Sequence, residues 1–434
     1  MTRVAVVLLY NTATGDLAAE ADGRLKFHYH ADFIARHHSG DTQCHALSLS
    51  LPIPAIYDEY FWFNDAQCGP FFAGLLPDNK QTRRRLAHII STRKSVTEND
   101  EFGMLFALGR DCPGAISLIA PDANPDDYDP YPPQYRVLSE AELAQHIREL
   151  PTRPLFADDA GETRLTLAGV HDKAAVIKVG NDIALPHGRT PSSHILKPDI
   201  CGLPGSIRVE HFCLEVARAI GLTTPRSRIM QAEDQTFMLL ARYDRALHEK
   251  DGTRYLSRLH QEDFCQATGC FPDQKYERDG GPGWKTLFSM LRYSHAPAHD
   301  RRELLRRAIF QYLIGNPDAH AKNYSLRWQH GALRLAPLYD VNNAKAFAGF
   351  YKAQRIKLAM AIGGERNPDA LTDDHWTRFG KEIGLSPKLV LAELETLRDQ
   401  IGPAAENVRN RLANSLADTP LLDLALEDIL RRSS

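Results

Sequence analysis

The sequence predicts an α+β protein built from more than one packed unit, and three observations carry that prediction. Its 434 residues exceed what one hydrophobic core usually organises, since domains typically run to ~100–200 residues. Strand-like alternation fills much of residues 1–120 and returns between residues 164 and 242. Helical periodicity dominates from residue 300 onward. Apolar residues at 43% and charged residues at 25% match ordinary globular proteins and exclude wholesale disorder.

The first unit begins with strands expected at Val4 to Tyr10, Arg24 to Tyr29 and Ala46 to Leu51, separated by short helical patterns and Gly or Pro turns. The stretch APDANPDDYDPYPP, from Ala120 to Pro133, has no periodicity and reads as a connector. A boundary there gives units 1–125, 126–245 and 246–434. In the second unit, Arg164 to Leu167, Ala174 to Val179 and Ser193 to Lys197 read as strands, the last stopped by Pro198. A helix follows over Val209 to Ile220, with Phe212, Cys213, Val216, Ala217 and Ile220 on one face and Gly221 as its stop. The strand Gln235 to Arg242 comes next.

In the third unit, a helix over Asp300 to Ile314 aligns Leu304, Leu305, Ala308, Ile309, Tyr312 and Leu313 before Gly315, Asn316 and Pro317 end it. A polar loop leads to a hairpin, Tyr324 to Trp328 and Leu333 to Ala336, turning at His330 and Gly331. Helices resume from Thr372.

Charge and cysteine usage narrow the function. The 52 basic and 55 acidic residues give a net charge of −3, too balanced for nucleic-acid binding by the whole chain, so any DNA contact is local or made through a partner. The cysteines at 44, 68, 112, 201, 213, 265 and 270 include no CxxC pair and no zinc-ligand spacing. Reduced thiols and a cytoplasmic location are expected. No apolar stretch approaches the ~20 residues a membrane helix needs, so no membrane partner is expected.

The chemistry concentrates in Asn316-Pro317-Asp318-Ala319-His320-Ala321-Lys322-Asn323, set between the long helix and a hairpin that leads to Asp340. Protein kinases use this order: a catalytic Asp, an Asn five positions later on Mg²⁺, and a second Asp after a hairpin on the metals bridging the phosphates. Asp and Asn in a loop ordinarily make turns and caps; it is the joint placement with helix and hairpin that argues for catalysis. Lys197, ending an apolar strand, is the candidate phosphate lysine, and Glu210 in the next helix its ion-pair partner. Neither Gly-x-Gly-x-x-Gly nor GxxxxGK[ST] occurs. Thr166-Leu167-Ala168-Gly169-Val170-His171-Asp172-Lys173 offers small residues whose N–H groups could approach phosphates, although composition alone favours a plain hairpin.

Several segments in order resemble the HipA family of bacterial kinase toxins: GLLPDN (74–79), GRDCPGAISL (109–118), LAGVHDK (167–173), HILKPD (194–199), RYDR (242–245), QEDFCQATG (261–269), KYERDGGPG (275–283), DAHAKNYS (318–325) and LAPLYD (335–340). The resemblance implies a small N-terminal α+β domain packed on a protein-kinase-like domain, with a strand-rich nucleotide lobe and a mainly helical C-terminal lobe. It implies ATP and Mg²⁺ as cofactors, Asp318 as catalytic base, and Asn323 and Asp340 as metal ligands. ATP would meet Ala168, Gly169, Val170, His171, Asp172, Lys173 and Lys197, the hinge Ala241, Arg242 and Tyr243, and His320, Ala321, Lys322, Asn323, Tyr339 and Asp340.

Family members autophosphorylate a hydroxyl just before the phosphate loop, which Thr166 matches here with Thr in place of Ser; Ser192 or Ser193 are the alternatives. The resemblance further implies an aminoacyl-tRNA synthetase as substrate, a HipB-like helix-turn-helix antitoxin dimer as partner, operator DNA reached through that complex, and Lys381 near a DNA-contacting region. Two rival readings stand beside it. One is a catalytically silent scaffold or co-repressor that binds antitoxin and DNA. The other is a metal-dependent hydrolase using His28, His30, His37, His38, His45 and Cys44, whose spacings fit no zinc signature.

Overall fold

The computed structural model describes residues 3–91, 96–109, 111–154, 172–329, 331–349 and 356–434. The strand expected at Arg164 to Leu167 lies outside the described residues.

Four antiparallel strands open the chain, in the spatial order Leu25–Tyr29, Thr12–Ala19, Arg3–Leu9, Ile116–Ile119. Alternate side chains of a strand share a face, so Ala5, Val7, Leu9, Leu17 and Phe27 converge on Phe33, Phe71, Phe72 and Leu105 of the covering helices. One of those helices, Asp65–Ala73, starts with a reciprocal cap between Asn64 and Gln67. The strand Thr12–Ala19 escapes sequence reading because Gly15 and Asp16 weaken its β propensity. Gly15 is required there, since a Cβ would lie 2.0 Å from the His28 carbonyl oxygen.

The expected strand at Ala46 to Leu51 does not form. Only an isolated bridge joins Ser48 and Leu51, because Ser48 Oγ and the Leu49 N–H turn instead to the buried carboxyl of Glu262.

A six-stranded antiparallel sheet follows, ordered Gln134–Val137, Asp182–His187, Ala174–Val179, His194–Pro198, Gln235–Ala241, Ser227–Ala232. The strand Gln235–Ala241 is buried on both sides: Phe237 and Leu239 pack with Leu143 and Ile147 of the helix Glu140–Glu149, while Met238 and Leu240 pack with Phe212 and Val216 of the helix Ser206–Ala219. That is why its sequence reads as an apolar run rather than an alternation.

Beyond a hairpin at Arg245–Lys250 and Thr253–Arg258 that the sequence did not announce, the chain is mainly helical. The helix Pro297–Leu313 buries Leu304, Leu305, Ile309 and Leu313 completely, each contributing ~1.5–3 kcal/mol. Helices Asp373–Glu382, Pro387–Leu412 and Leu421–Ser433 pack around it. Gly315, at φ +76°, ends the long helix where a Cβ would sit 2.4 Å from Asp428 Oδ2. The three-stranded sheet Gln261–Asp263, Ser325–Gln329, Ala332–Leu335 then receives the chain, so residues 316–324 are pinned between a buried helix end and a sheet. A strand-rich lobe joined to a helical lobe is the α+β architecture the sequence predicts. Among the described residues, no helix is long and apolar enough to cross a membrane.

Candidate active site

The loop after Gly315 is rigid by its own hydrogen bonds. Asn316 Nδ2 donates to Gln311 Oε1 (2.9 Å), and Asn316 Oδ1 accepts from the Asp318 N–H (3.2 Å). The His320 N–H closes on the Asp318 carbonyl (2.8 Å), and a short 3₁₀ turn, Ala321–Asn323, carries the chain to the sheet. Asp318 is thereby presented at the loop's rim, where Tyr276 Oη donates to Oδ1 at 2.9 Å. Although open to solvent on one side, its carboxyl is raised by the surrounding protein mass, opposed by the Tyr276 bond and raised further by the Asp340 charge. Burial pushes the neighbouring His320 down to about 3, so its imidazole is neutral.

Opposite Asp318, Asp340 adopts φ +58°, a left-handed backbone that a non-glycine residue holds only where its surroundings enforce it. Asn323 Nδ2 donates to Asp340 Oδ2 at 2.9 Å. This leaves Asn323 Oδ1 buried with no hydrogen-bond partner. An orphaned amide oxygen beside a carboxylate is a hard-oxygen pair that suits Mg²⁺, which takes few protein ligands and completes its shell with phosphate and water oxygens.

Lys197 reaches the same point from the strand His194–Pro198. Its Nζ lies 2.7 Å from Glu210 Oε1 and 4.0 Å from Asp340 Oδ1. Burial disfavours the ammonium, but Glu210 and Asp340 outweigh burial and keep it charged. Lys173 is close by, pushed down to about 8 by burial and by the Lys197 charge. The strand lysine and helix glutamate expected to pair therefore do so.

Lys173, Lys197, Asp318, Asn323 and Asp340 line one cavity of about 200 Å³, together with Ala241, Arg242, Tyr243, His320, Lys322 and Tyr339. Several expectations need adjustment. Ala321 is fully buried in the hydrophobic core and does not face the cavity. The Arg242 guanidinium turns away into a buried ionic cluster, bonding Asp244 (2.7 Å) and Ser192 Oγ (3.0 Å). In that cluster burial would raise Asp111, but Arg245, Arg258 and Arg242 hold its carboxyl well below the usual range. Ser192 is sealed there, with no exposed surface and its Oγ donating to Asp111 Oδ2 at 3.0 Å. Asp172 does not line the cavity, and Lys381 is exposed on a helix outside it. Thr166, Ala168, Gly169, Val170 and His171 lie outside the described residues.

Sequence reading missed the contribution of the first unit. Asp78, from GLLPDN, lines the cavity and lies 3.2 Å from Lys322 Nζ, which also meets Asp263 at 3.4 Å. Burial opposes the Lys322 charge, and the two carboxylates more than restore it. Tyr276 was likewise missed. Both sit in segments that the resemblance quotes, but nothing in their spacing reveals a partner more than 40 positions away.

Fold and site together define a protein kinase, with a strand lysine paired to a helix glutamate above an Asp, Asn and Asp set. Residues 165–405 match the family model "HipA-like C-terminal domain", and residues 5–119 match "HipA N-terminal domain". The chain belongs to the HipA family. It is 34% identical to "Putative kinase Y4mE" of Sinorhizobium fredii, covering 96% of this chain and 95% of that one. It is 28% identical to the serine/threonine-protein kinase toxin HipA of Shewanella oneidensis, over 89% of this chain and 86% of that protein. Its fold matches a solved chain from the complex of Shewanella oneidensis HipA, HipB and operator DNA, with a TM-score of 0.79 and 24% identity over 99% of this chain and 96% of that one.

Proposed function

We propose that this chain uses ATP and Mg²⁺ to phosphorylate serine or threonine hydroxyls of a protein substrate and acts as the toxin of a toxin–antitoxin pair. The observation that carries the reading is the meeting of Lys197, Asp340 and Asn323 in the cavity whose rim presents Asp318. Lys197 and Lys173 orient the phosphates, and the apolar wall of Ile195 and Leu240 takes the base. Mg²⁺ held by Asn323 Oδ1 and Asp340 supplies charge neutralisation on the phosphate oxygens. Asp318 accepts the proton of the substrate hydroxyl as its oxygen bonds to the γ-phosphorus and the bond to the ADP oxygen breaks.

The units 1–125, 126–245 and 246–434 then divide the labour: Asp78 from the first, the nucleotide lobe from the second, and the catalytic loop from the third. In the same reading the target is a translation factor such as an aminoacyl-tRNA synthetase. Thr166 is the autophosphorylation site, and ~−2 charge beside the nucleotide phosphates silences the enzyme. A HipB-like helix-turn-helix dimer neutralises it and carries it to operator DNA, supported by the HipA, HipB and operator composition of the structurally similar complex.

The test is transfer of labelled γ-phosphate to lysate proteins by the intact chain and by Asp318→Ala, followed by mapping of the labelled residues. Loss of ~10²–10⁴-fold in the variant is expected for removal of a general base. Equal labelling by both proteins would overturn the kinase reading, and labelling that persists in Thr166→Ala would move the autophosphorylation site elsewhere.

A further inference from the structure

The sheet of the first unit gathers a second set of donor atoms, and we propose that Asp16, His28 and His30 form a binding site for a divalent transition ion of the zinc type. His28 lies in the strand Leu25–Tyr29 and His30 directly follows it, before the helix Ala31–His38; both rings meet Asp16. Asp16, on the adjoining strand, is the direct register partner of His28. His28 Nε2 lies 3.1 Å from Asp16 Oδ2, and His30 Nε2 lies 3.0 Å from Asp16 Oδ1. One donor atom from each residue falls within 4.8 Å of the other two. Tetrahedral zinc with bonds of ~2.0–2.1 Å sets neighbouring donors about 3.3 Å apart, close to both separations between Asp16 and the histidines.

The surroundings favour an ion. The His28 ring is held by stacking on Trp62, at 4.0 Å between centroids and 20° between planes. Its Nε2 is the nitrogen that meets the cluster. The His30 and Asp16 side chains stay 30% and 27% exposed, which gives an ion access from solvent and room for a water as fourth ligand. Two imidazoles and one carboxylate suit zinc and its neighbours, whereas the all-oxygen pair Asn323 and Asp340 suits Mg²⁺. The two sites share no residue. An ion at Asp16, His28 and His30 would clamp the hairpin to the start of the helix Ala31–His38.

The test uses the full chain, stripped of metal and kept in millimolar Mg²⁺ so that the oxygen sites are filled. Zn²⁺ is titrated by calorimetry and Co²⁺ by visible absorption. One ion per chain is expected, with a Co²⁺ spectrum of nitrogen and oxygen ligands and no thiolate charge-transfer band. His28→Ala and His30→Ala should each weaken Zn²⁺ binding by more than the ~10–100-fold that loss of an outer-shell partner costs, while His37→Ala binds as the parent does. All three should retain kinase activity, which also shows that they fold. Equal Zn²⁺ affinity in parent and both ligand variants, a thiolate band, or no Zn²⁺ uptake by the parent would each overturn the site and leave a hydrogen-bonded trio only.

Discussion

Asn323 and Asp340, 17 positions apart, are joined by a 2.9 Å hydrogen bond from Nδ2 to Oδ2. That bond fixes the amide so that its oxygen, not its nitrogen, is left for a cation. Asp340→Asn exchanges a carboxylate for an amide of the same size and should lower phosphotransfer by about 100–1000-fold, the usual cost of removing one preorganised electrostatic group. Asn323→Ala should raise the Mg²⁺ concentration needed for half-maximal rate. The readout is initial rate against Mg²⁺ at saturating ATP, and an unaltered Mg²⁺ dependence in both variants would dismiss these residues as metal ligands.

Lys197 has two carboxylates to choose between, Glu210 at 2.7 Å and Asp340 at 4.0 Å. Glu210→Gln removes the nearer charge and leaves the ammonium to drift toward Asp340, where it competes with the metal. Displacements of about 1 Å at a reacting centre can cost about 100-fold, so kcat/KM for ATP should fall by that order. Breaking a buried pair on one side also destabilises, by ~3–5 kcal/mol. Kinetics and thermal melts on the same preparation separate the two effects, and a variant with parental kcat/KM would deny Lys197 its phosphate role.

How far the site was readable from sequence follows from the range of the interactions that build it. Asp318, Asn323 and Asp340 stand on one continuous helix, loop and hairpin, so their spacing was enough to place them together. Lys197 and Glu210 are 13 positions apart across one strand-to-helix turn, still within reach of local pattern. Asp78 is different, because its meeting with Lys322 depends on how the first unit docks, which no local periodicity encodes. Ala46 to Leu51 failed for a related reason: its strand-like composition yields to a distant buried carboxyl, Glu262. Arg242 was read as a hinge contact because position in the strand was legible, while the direction of its guanidinium, set by Asp111 and Asp244, was not.

Tyr276 Oη, 2.9 Å from Asp318 Oδ1, stabilises the ionised form of the proposed base. The rate requires that form, so activity is lost as pH falls through the Asp318 pKa. Tyr276→Phe deletes the donor and leaves burial and the Asp340 charge unopposed, so the pKa rises and the acidic limb of the pH–rate profile moves to higher pH. At pH values well above that limb the rate should change by less than about tenfold, since a single hydrogen bond to a charged group is worth ~1.5–3 kcal/mol and only part of it is specific to the transition state. A profile whose acidic limb is unmoved or shifts downward would separate Tyr276 from the base.

Glu262 gives a stability test that is independent of catalysis. It is fully buried, and burial drives its carboxyl up to about 8 against the opposing bonds from Ser48 and the Leu49 N–H. In the unfolded chain the same group ionises near ~4.3. Between those values the folded state binds the proton and the unfolded state does not, so stability declines as pH rises from about 4.3 to 8, by up to ~1.4 kcal/mol per unit, and then levels off. Glu262→Gln carries no ionisable group but can still accept from the Leu49 N–H, and its amide N–H can donate to Ser48 Oγ in place of the bond that Ser48 now donates. The variant should therefore match the parent near pH 5 and exceed it progressively toward pH 8, measured by urea unfolding at pH 5, 7 and 9. A parent-to-variant difference that stays constant across that range would mean that Glu262 is ionised in the fold and that its link to residues 48–49 is an ordinary charged hydrogen bond.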